Sequence, residues 1–252
     1  MTWLLTLAFD GTEYCGFQVQ PNGRSVAAAF QDALEAVIGF RPDIKGCSRT
    51  DAGVHALGFA LSFEADLRIP PEKLPLALNT KLPRDIRVLK ARVVPDGFHA
   101  RYAAHTKTYL YRIHNSAIDS PFEERYYCRI PGRLDVARMQ QAAAGFVGTH
   151  DFLALCAAHS SAAAHGDTIR TITACGVERH GDTVEITVTA DGYLYNMVRI
   201  LAGTLCEAGA GRLDPAAVPA ILASRDRKNA GPTLPAKGLF LHHVDYGKEA
   251  EG

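Results

Sequence analysis

The residue types in this chain that could do chemistry are concentrated in one string, Ser48-Arg49-Thr50-Asp51-Ala52-Gly53-Val54-His55. A carboxylate stands there between apolar segments, with a cation two residues before it and a glycine two residues after. A nearby arginine lowers a carboxylate's pKa and holds it ionised, and glycine lets backbone or substrate approach closely. A nucleophilic carboxylate needs both features. By themselves, Asp51, Ala52 and Gly53 also describe a turn-forming aspartate, with Arg49 on the surface and His55 packed beneath Phe59.

Such a loop needs a frame. Residues 4–9 alternate or run apolar and lead into Asp10-Gly11-Thr12, a strand entering a turn. Ser25 is a natural N-cap for a helix with the stripe Val26, Phe30, Ala33, Leu34, Val37 and Ile38, and Gly39 is its stop. The polar run 48–53 interrupts the pattern before residues 58–63 resume it as a strand, with Phe59, Leu61 and Phe63 on one side. A short helix over 72–78 follows Pro70-Pro71, and 86–94 is another strand.

The second half starts with a strand over 108–113, where Tyr109, Tyr111 and Ile113 alternate, and a long loop over 119–133. A helix from Asp135 carries the stripe Met139, Ala142, Ala143, Phe146 and Val147, and His150-Asp151-Phe152 opens a strand-like stretch. Strands 171–179 and 183–190 flank His180-Gly181-Asp182, a three-residue hairpin connection. A helix over 196–207 stops at Gly209, Asp214-Pro215 caps a last helix through Leu222, and 239–244 is the final strand. Residues 157–166, rich in Ser and Ala, read as a mobile insertion. The recurring order predicts an α+β chain of two similar halves, 1–104 and 105–252, around one cleft.

Composition narrows the class without naming it. A chain of 252 residues with 47% hydrophobic residues can bury one large core or two smaller ones. Lys+Arg and Asp+Glu total 27 each, so any surface for nucleic acid must be local. No apolar run reaches the roughly 20 residues of a membrane span, and no basic, cleavable signal opens the chain, which predicts a soluble cytoplasmic protein. The six cysteines, at 15, 47, 128, 156, 175 and 206, form no Cys-x-x-Cys pair and read as free thiols. The ten histidines lack the spacing of a zinc helix.

The longer string, residues 46–56, closely resembles the signature of the tRNA pseudouridine synthase A family. The similarity continues through Phe9-Asp10-Gly11-Thr12-Glu13-Tyr14-Cys15-Gly16-Phe17-Gln18, Phe98-His99-Ala100-Arg101 and Lys107-Thr108-Tyr109-Leu110-Tyr111. It ends with Asn196-Met197-Val198-Arg199 and Lys237-Gly238-Leu239-Phe240-Leu241, in the family's order over residues 3–246. The resemblance implies a pseudouridine-synthase fold, with an antiparallel mixed sheet and a central active-site cleft. It implies isomerisation of uridine to pseudouridine in the anticodon stem-loop of tRNA (positions 38 to 40), with no metal, nucleotide or redox cofactor and with a homodimer as the working form. By the same resemblance Asp51 is the nucleophile and Arg49 occupies the space left by the flipped base. Tyr109 contacts the target uracil, Arg199 pairs with Asp51, and Leu239 walls the pocket.

Three positions depart from the family pattern: Phe17 stands where tryptophan is common, Ala27 where glutamine is usual, and Leu234 where a small residue is. Arg24, Arg84, Arg87, Lys90, Arg92, Arg101, Lys107 and Arg112 are candidates for an RNA groove. Two rival readings are a non-catalytic RNA-binding module and an aspartate-dependent glycoside hydrolase using Asp51 and His55. The first leaves Asp51, Tyr109 and Arg199 together without a purpose, and the second lacks its second carboxylate in the motif.

Overall fold

The structure, a computed structural model, describes residues 1–21, 23–157 and 161–247. In chain order the strands are β1 (Thr2–Phe9), β2 (Ile44–Gly46), β3 (His55–Glu64), β4 (Ile86–Val94), β5 (Thr106–His114), β6 (Cys128–Arg129), β7 (Gly148–Asp151), β8 (Ile169–His180), β9 (Thr183–Ala190) and β10 (Leu239–Asp245). The helices are α1 (Val26–Ile38), α2 (Leu74–Asn79), α3 (Val136–Ala144), α4 (Ser161–His165), α5 (Met197–Gly209) and α6 (Val218–Ser224). The chain divides into two compact units, Met1–Thr106 joined by the chain from Phe240 on, and Lys107–Leu239. It is an α+β protein with mostly antiparallel pairing.

In the first unit β1 lies between β3 and β4, antiparallel to both. Its first four residues are all buried, so both faces are covered and its sequence runs apolar instead of alternating. α1 keeps the bounds its caps dictate: Ser25 Oγ accepts from the Ala28 amide at 3.2 Å, and Gly39 closes the helix at φ +85°. Val26, Phe30, Ala33 and Leu34 are buried, whereas Val37 and Ile38 are half-buried as the helix leaves the core. α2 starts at Leu74 instead of 72, because Pro75 has no amide hydrogen and fits only the first turn. β2 is antiparallel to β3, which turns 44–64 into a hairpin closed by loop 47–54. β10 joins this unit because it pairs with β3 in parallel, Phe240 opposite His55.

In the second unit β9 lies between β5 and β8, β7 flanks β8, and β6 adds a short parallel pairing to β5. The hairpin turn is two residues, not three: His180 pairs with Thr183, leaving Gly181 and Asp182 as the loop with φ +60° at Gly181. Asp135 caps α3 as its position implies, accepting from the Arg138 amide at 3.2 Å, but Val147 lies past the helix end and is exposed. Gly209 is not a stop. It is the last residue of α5, and a Cβ there would lie 2.6 Å from Met139 Cγ, so glycine lets α5 approach α3. Asp214 caps a 3-10 turn, Pro215–Ala217, that runs into α6. Of the expected insertion, 158–160 lie outside the described residues, and Ser161–His165 is helical instead of irregular.

All six cysteines are free thiols. Among the described residues no helix is long and apolar enough to cross a membrane.

Candidate active site

Asp51 sits half-buried in the loop that closes the β2–β3 hairpin. The loop is pinned at its base, where the Cys47 amide donates to Ala60 O at 2.9 Å. At its tip Asp51 O accepts from the Val54 amide at 3.2 Å, which makes Asp51 the first residue of a turn with Gly53 third at φ +75°. A positive φ at the third position is what such a turn demands of glycine. The turn-forming and chemical readings of Asp51 therefore coexist: its backbone makes the turn that its side chain rides on.

Residues 10–17 hold this turn from outside. The Phe17 amide donates to Thr50 O at 3.3 Å, the Gly53 amide to Tyr14 O at 3.3 Å, and the Gly11 amide to His55 Nδ1 at 3.1 Å. Two glycines allow the approach. A Cβ on Gly11 would stand 2.0 Å from Val54 O, and one on Gly16, whose φ is +109°, would stand 2.4 Å from Thr50 O. The segment is itself anchored, since the buried Tyr14 donates its hydroxyl to Asp85 Oδ1 at 2.7 Å beneath the Arg24 guanidinium. Burial first, and then the Asp85 carboxylate, push the Tyr14 phenol up, so it remains a donor.

The His55 ring stacks on Phe240 of β10 at 4.7 Å, and the Phe59 ring stacks on Phe17 at 4.2 Å. Thr50 Oγ1 is buried and makes no hydrogen bond among the described residues. Phe17 fills the space under Gly46, whose Cβ would lie 2.4 Å from the Phe17 ring. Ala27 meets the frame through its backbone, its amide donating to Phe17 O at 2.9 Å.

The second unit carries a different set. Tyr109 on β5 is buried and meets Tyr193 edge-on at 4.9 Å, and the Tyr193 hydroxyl lies 2.8 Å from both Lys107 O and Val188 O. Burial, reinforced by Tyr109, raises the Tyr193 pKa. Arg199, on the first turn of α5, is aimed by two neutral acceptors: Nε donates to Leu234 O and Nη1 to Asn196 Oδ1, each at 2.7 Å. Asn196 can do this because it precedes the helix in the left-handed region, φ +62°, which asparagine tolerates better than most residues. The departure at Leu234 thus falls on a side chain, while the part that holds Arg199 is backbone. Leu239 is buried just after a 3-10 turn whose Gly238 lies against the Tyr111 ring, and the Tyr111 hydroxyl donates to Pro235 O at 2.8 Å.

The family model described as "tRNA pseudouridine synthase" matches residues 6–103 and 142–247. The chain belongs to the tRNA pseudouridine synthase family. It is 46% identical over 244 residues to the tRNA pseudouridine synthase A of Moorella thermoacetica, covering 96% of this chain and 98% of that protein. It is 42% identical over 245 residues to the tRNA pseudouridine synthase A of Bacillus pumilus, covering 96% of this chain and 97% of that protein. The protein of that name from Caldicellulosiruptor saccharolyticus is 42% identical over 243 residues, covering 96% and 98%.

Within this family member, Arg49 and Asp51 share one loop of the first unit, with Arg49 exposed and Asp51 half-buried. Tyr109, Arg199 and Leu239 occupy a strand, a helix and a strand start counted with the second unit. The frame of Gly11, Tyr14 and Gly16 is the part the chemical motif does not reveal. Its only signal is the pair of glycines five residues apart after a strand. Among the candidate RNA-groove cations, Arg24 lies 3.8 Å from Asp85, Arg112 pairs with Glu185 at 3.0 Å, and Arg87 donates to Pro83 O and Ile86 O, so these are engaged within the protein.

Proposed function

We propose that this chain isomerises uridine to pseudouridine in the anticodon stem-loop of tRNA (positions 38 to 40), with Asp51 as the nucleophile. The observation that carries the reading is the Asp51 turn, held by Gly11, Tyr14, Gly16 and Phe17 so that one half-buried carboxylate has a fixed position, in a chain related to synthases of this name over nearly its whole length. Preorganisation of that kind is what a nucleophile needs.

A uridine in a stem must leave the stack before its glycosidic bond can be reached, at a cost of a few kcal/mol. Arg49, two residues before Asp51, suits the vacated space, because a guanidinium plane replaces stacking and binds phosphate at once. Tyr109 supplies a face for the extruded uracil, Arg199 a fixed cation for the Asp51 carboxylate, and Leu239 an apolar wall. In the reaction the C1′–N1 bond breaks, the uracil rotates and a C1′–C5 bond forms. The C5 proton leaves and N1 gains one, so product and substrate have the same mass and no co-reactant is consumed. Attack of Asp51 on C1′, attack on C6, or removal of a ribose proton to give a glycal all need the carboxylate ionised. The working form in this reading is a cytoplasmic homodimer.

The test maps pseudouridine in tRNA from cells lacking the protein, before and after purified enzyme is added. Loss and restoration at anticodon-arm uridines support the reading, and unchanged uridines in both samples defeat it. Asp51→Asn should bind tRNA with nearly unaltered affinity and form no product; turnover near wild type would remove Asp51 from its role.

A further inference from the structure

The segment after β4 is fixed from several sides yet displays an aromatic ring to solvent. Gly97, at φ +79°, donates its amide to Thr2 Oγ1 at 3.2 Å. The Ala100 amide donates to Ser62 Oγ at 3.0 Å, and Ala100 O accepts from the Tyr246 hydroxyl at 2.7 Å. Phe98 packs on Tyr246 at 5.2 Å. Two residues beyond the fully buried Ala100, Tyr102 is 77% exposed. His99 lies against its ring, centroids 4.3 Å apart and planes 38° apart, and most of the side chain is left open to solvent. The Arg101 guanidinium lies 5.8 Å from the same ring and makes no ion pair among the described residues.

We propose that Tyr102 is a stacking platform for an RNA base outside the nucleotide being modified, with Arg101 taking the adjoining phosphate. The inference rests on the tRNA-modifying reading above. An exposed tyrosine ring backed by His99, beside a guanidinium that makes no ion pair among the described residues, is the chemistry that binds unstacked bases without regard to their identity. His99 makes the backing neutral: burial first, and then Lys45, lower its pKa, and its Nδ1 accepts from the Arg101 amide at 3.1 Å. Phe122 is more exposed still, at 90%, but it takes part in no ring stacking or cation–π contact among the described residues. The position also fits. Ser62, which anchors the segment, pairs with Lys45, two residues before the Asp51 loop begins, so platform and nucleophile are mounted on one hairpin.

Tyr102→Trp gives a direct probe, because the natural tryptophan, Trp3, is buried and bonded to Ala65 O at 3.1 Å. Titrating unmodified tRNA into full-length Tyr102→Trp should quench its emission. Tyr102→Ala should raise Kd and KM about ten-fold, with kcat at saturating tRNA holding, while Tyr102→Phe restores binding. Arg101→Ala should flatten the slope of log Kd against log salt by roughly 0.7 to 0.9. Wild-type Kd and KM in Tyr102→Ala, or emission of Tyr102→Trp unmoved by saturating tRNA, would overturn the platform. A wild-type protein that binds tRNA but makes no pseudouridine would sink the enzymatic reading alone, leaving the platform to stand or fall on Kd and quenching.

Discussion

Gly16→Ala is the substitution that most directly tests whether the frame around Asp51 sets its position. Two costs combine there. An L residue at φ +109° is strained by about 1–3 kcal/mol. The new Cβ would also stand 2.4 Å from Thr50 O, against a floor of 3.0 Å for real contacts, so the backbone directly before Asp51 must retreat by about 0.6 Å. Misplacement of a reacting group by about 1 Å costs on the order of a hundred-fold in rate, so kcat/KM for tRNA should fall by about ten- to a hundred-fold with the Asp51 carboxylate intact. Stability should fall by roughly 2–4 kcal/mol, lowering the melting temperature by about 5–15 °C. Gly39→Ala separates the two effects, because Gly39 has φ +85° but nothing within 4 Å of its Cβ position. It should lose about 1–2 kcal/mol and no activity. Gly11→Ala, with the 2.0 Å contact to Val54 O and no positive φ, should behave like Gly16→Ala in activity. Single-turnover rates and thermal melts on the three variants check this. If Gly16→Ala keeps kcat/KM within two-fold of wild type, the frame does not position the nucleophile.

Asn196→Ala should destabilise by about 1–2 kcal/mol from strain at φ +62° and lower kcat by releasing Arg199; Asn196→Gly should recover the melting temperature but not kcat, and full recovery of both would show that the amide does not aim the guanidinium. Thr50→Val should raise stability by about 1 kcal/mol in urea titrations, because it removes a buried hydroxyl that makes no hydrogen bond among the described residues; a loss of stability would mean the hydroxyl is satisfied. Stability should also fall at alkaline pH. Burial pushes the Cys175 thiol up to about 12 and raises Cys206, Tyr111, Tyr193 and Tyr246 as well, so the folded chain keeps protons that the unfolded chain releases. Their contribution is intact below the ordinary thiol value of about 8.5 and declines as pH rises above it, by roughly 4 kcal/mol per pH unit near pH 10 if about three protons differ. Urea midpoints that are flat between pH 8 and 10.5 would refute this.

Local signals were legible in the sequence, and contacts between distant residues were not. The bounds of α1 follow from Ser25 and Gly39 because capping is decided within four residues, and β4 follows from its own pattern. β2 and β6 are three and two residues long and exist only through their pairing with β3 and β5, so no periodicity could announce them. Gly209 looked like a stop because the sequence cannot show Met139 against it. The candidate site divides in the same way. The Asp51 motif and the blocks containing Tyr109, Arg199 and Leu239 were visible by resemblance, but Gly11 and Gly16 act on carbonyls more than thirty residues away in sequence. Asn196 gives no sign in the sequence that its backbone is left-handed.

The parallel pairing of β10 with β3 sets a timetable for synthesis. Phe240, which stacks on His55, leaves the ribosome about 185 residues after it, or roughly 10–40 s later at ordinary elongation rates. Throughout that interval the His55 end of β3, immediately after the Asp51 loop, is an open strand edge of the kind that invites pairing with other chains. The nascent protein can complete its second unit before it can finish its first, so the carboxylate loop gains the support of β10 only after the whole second unit has been made.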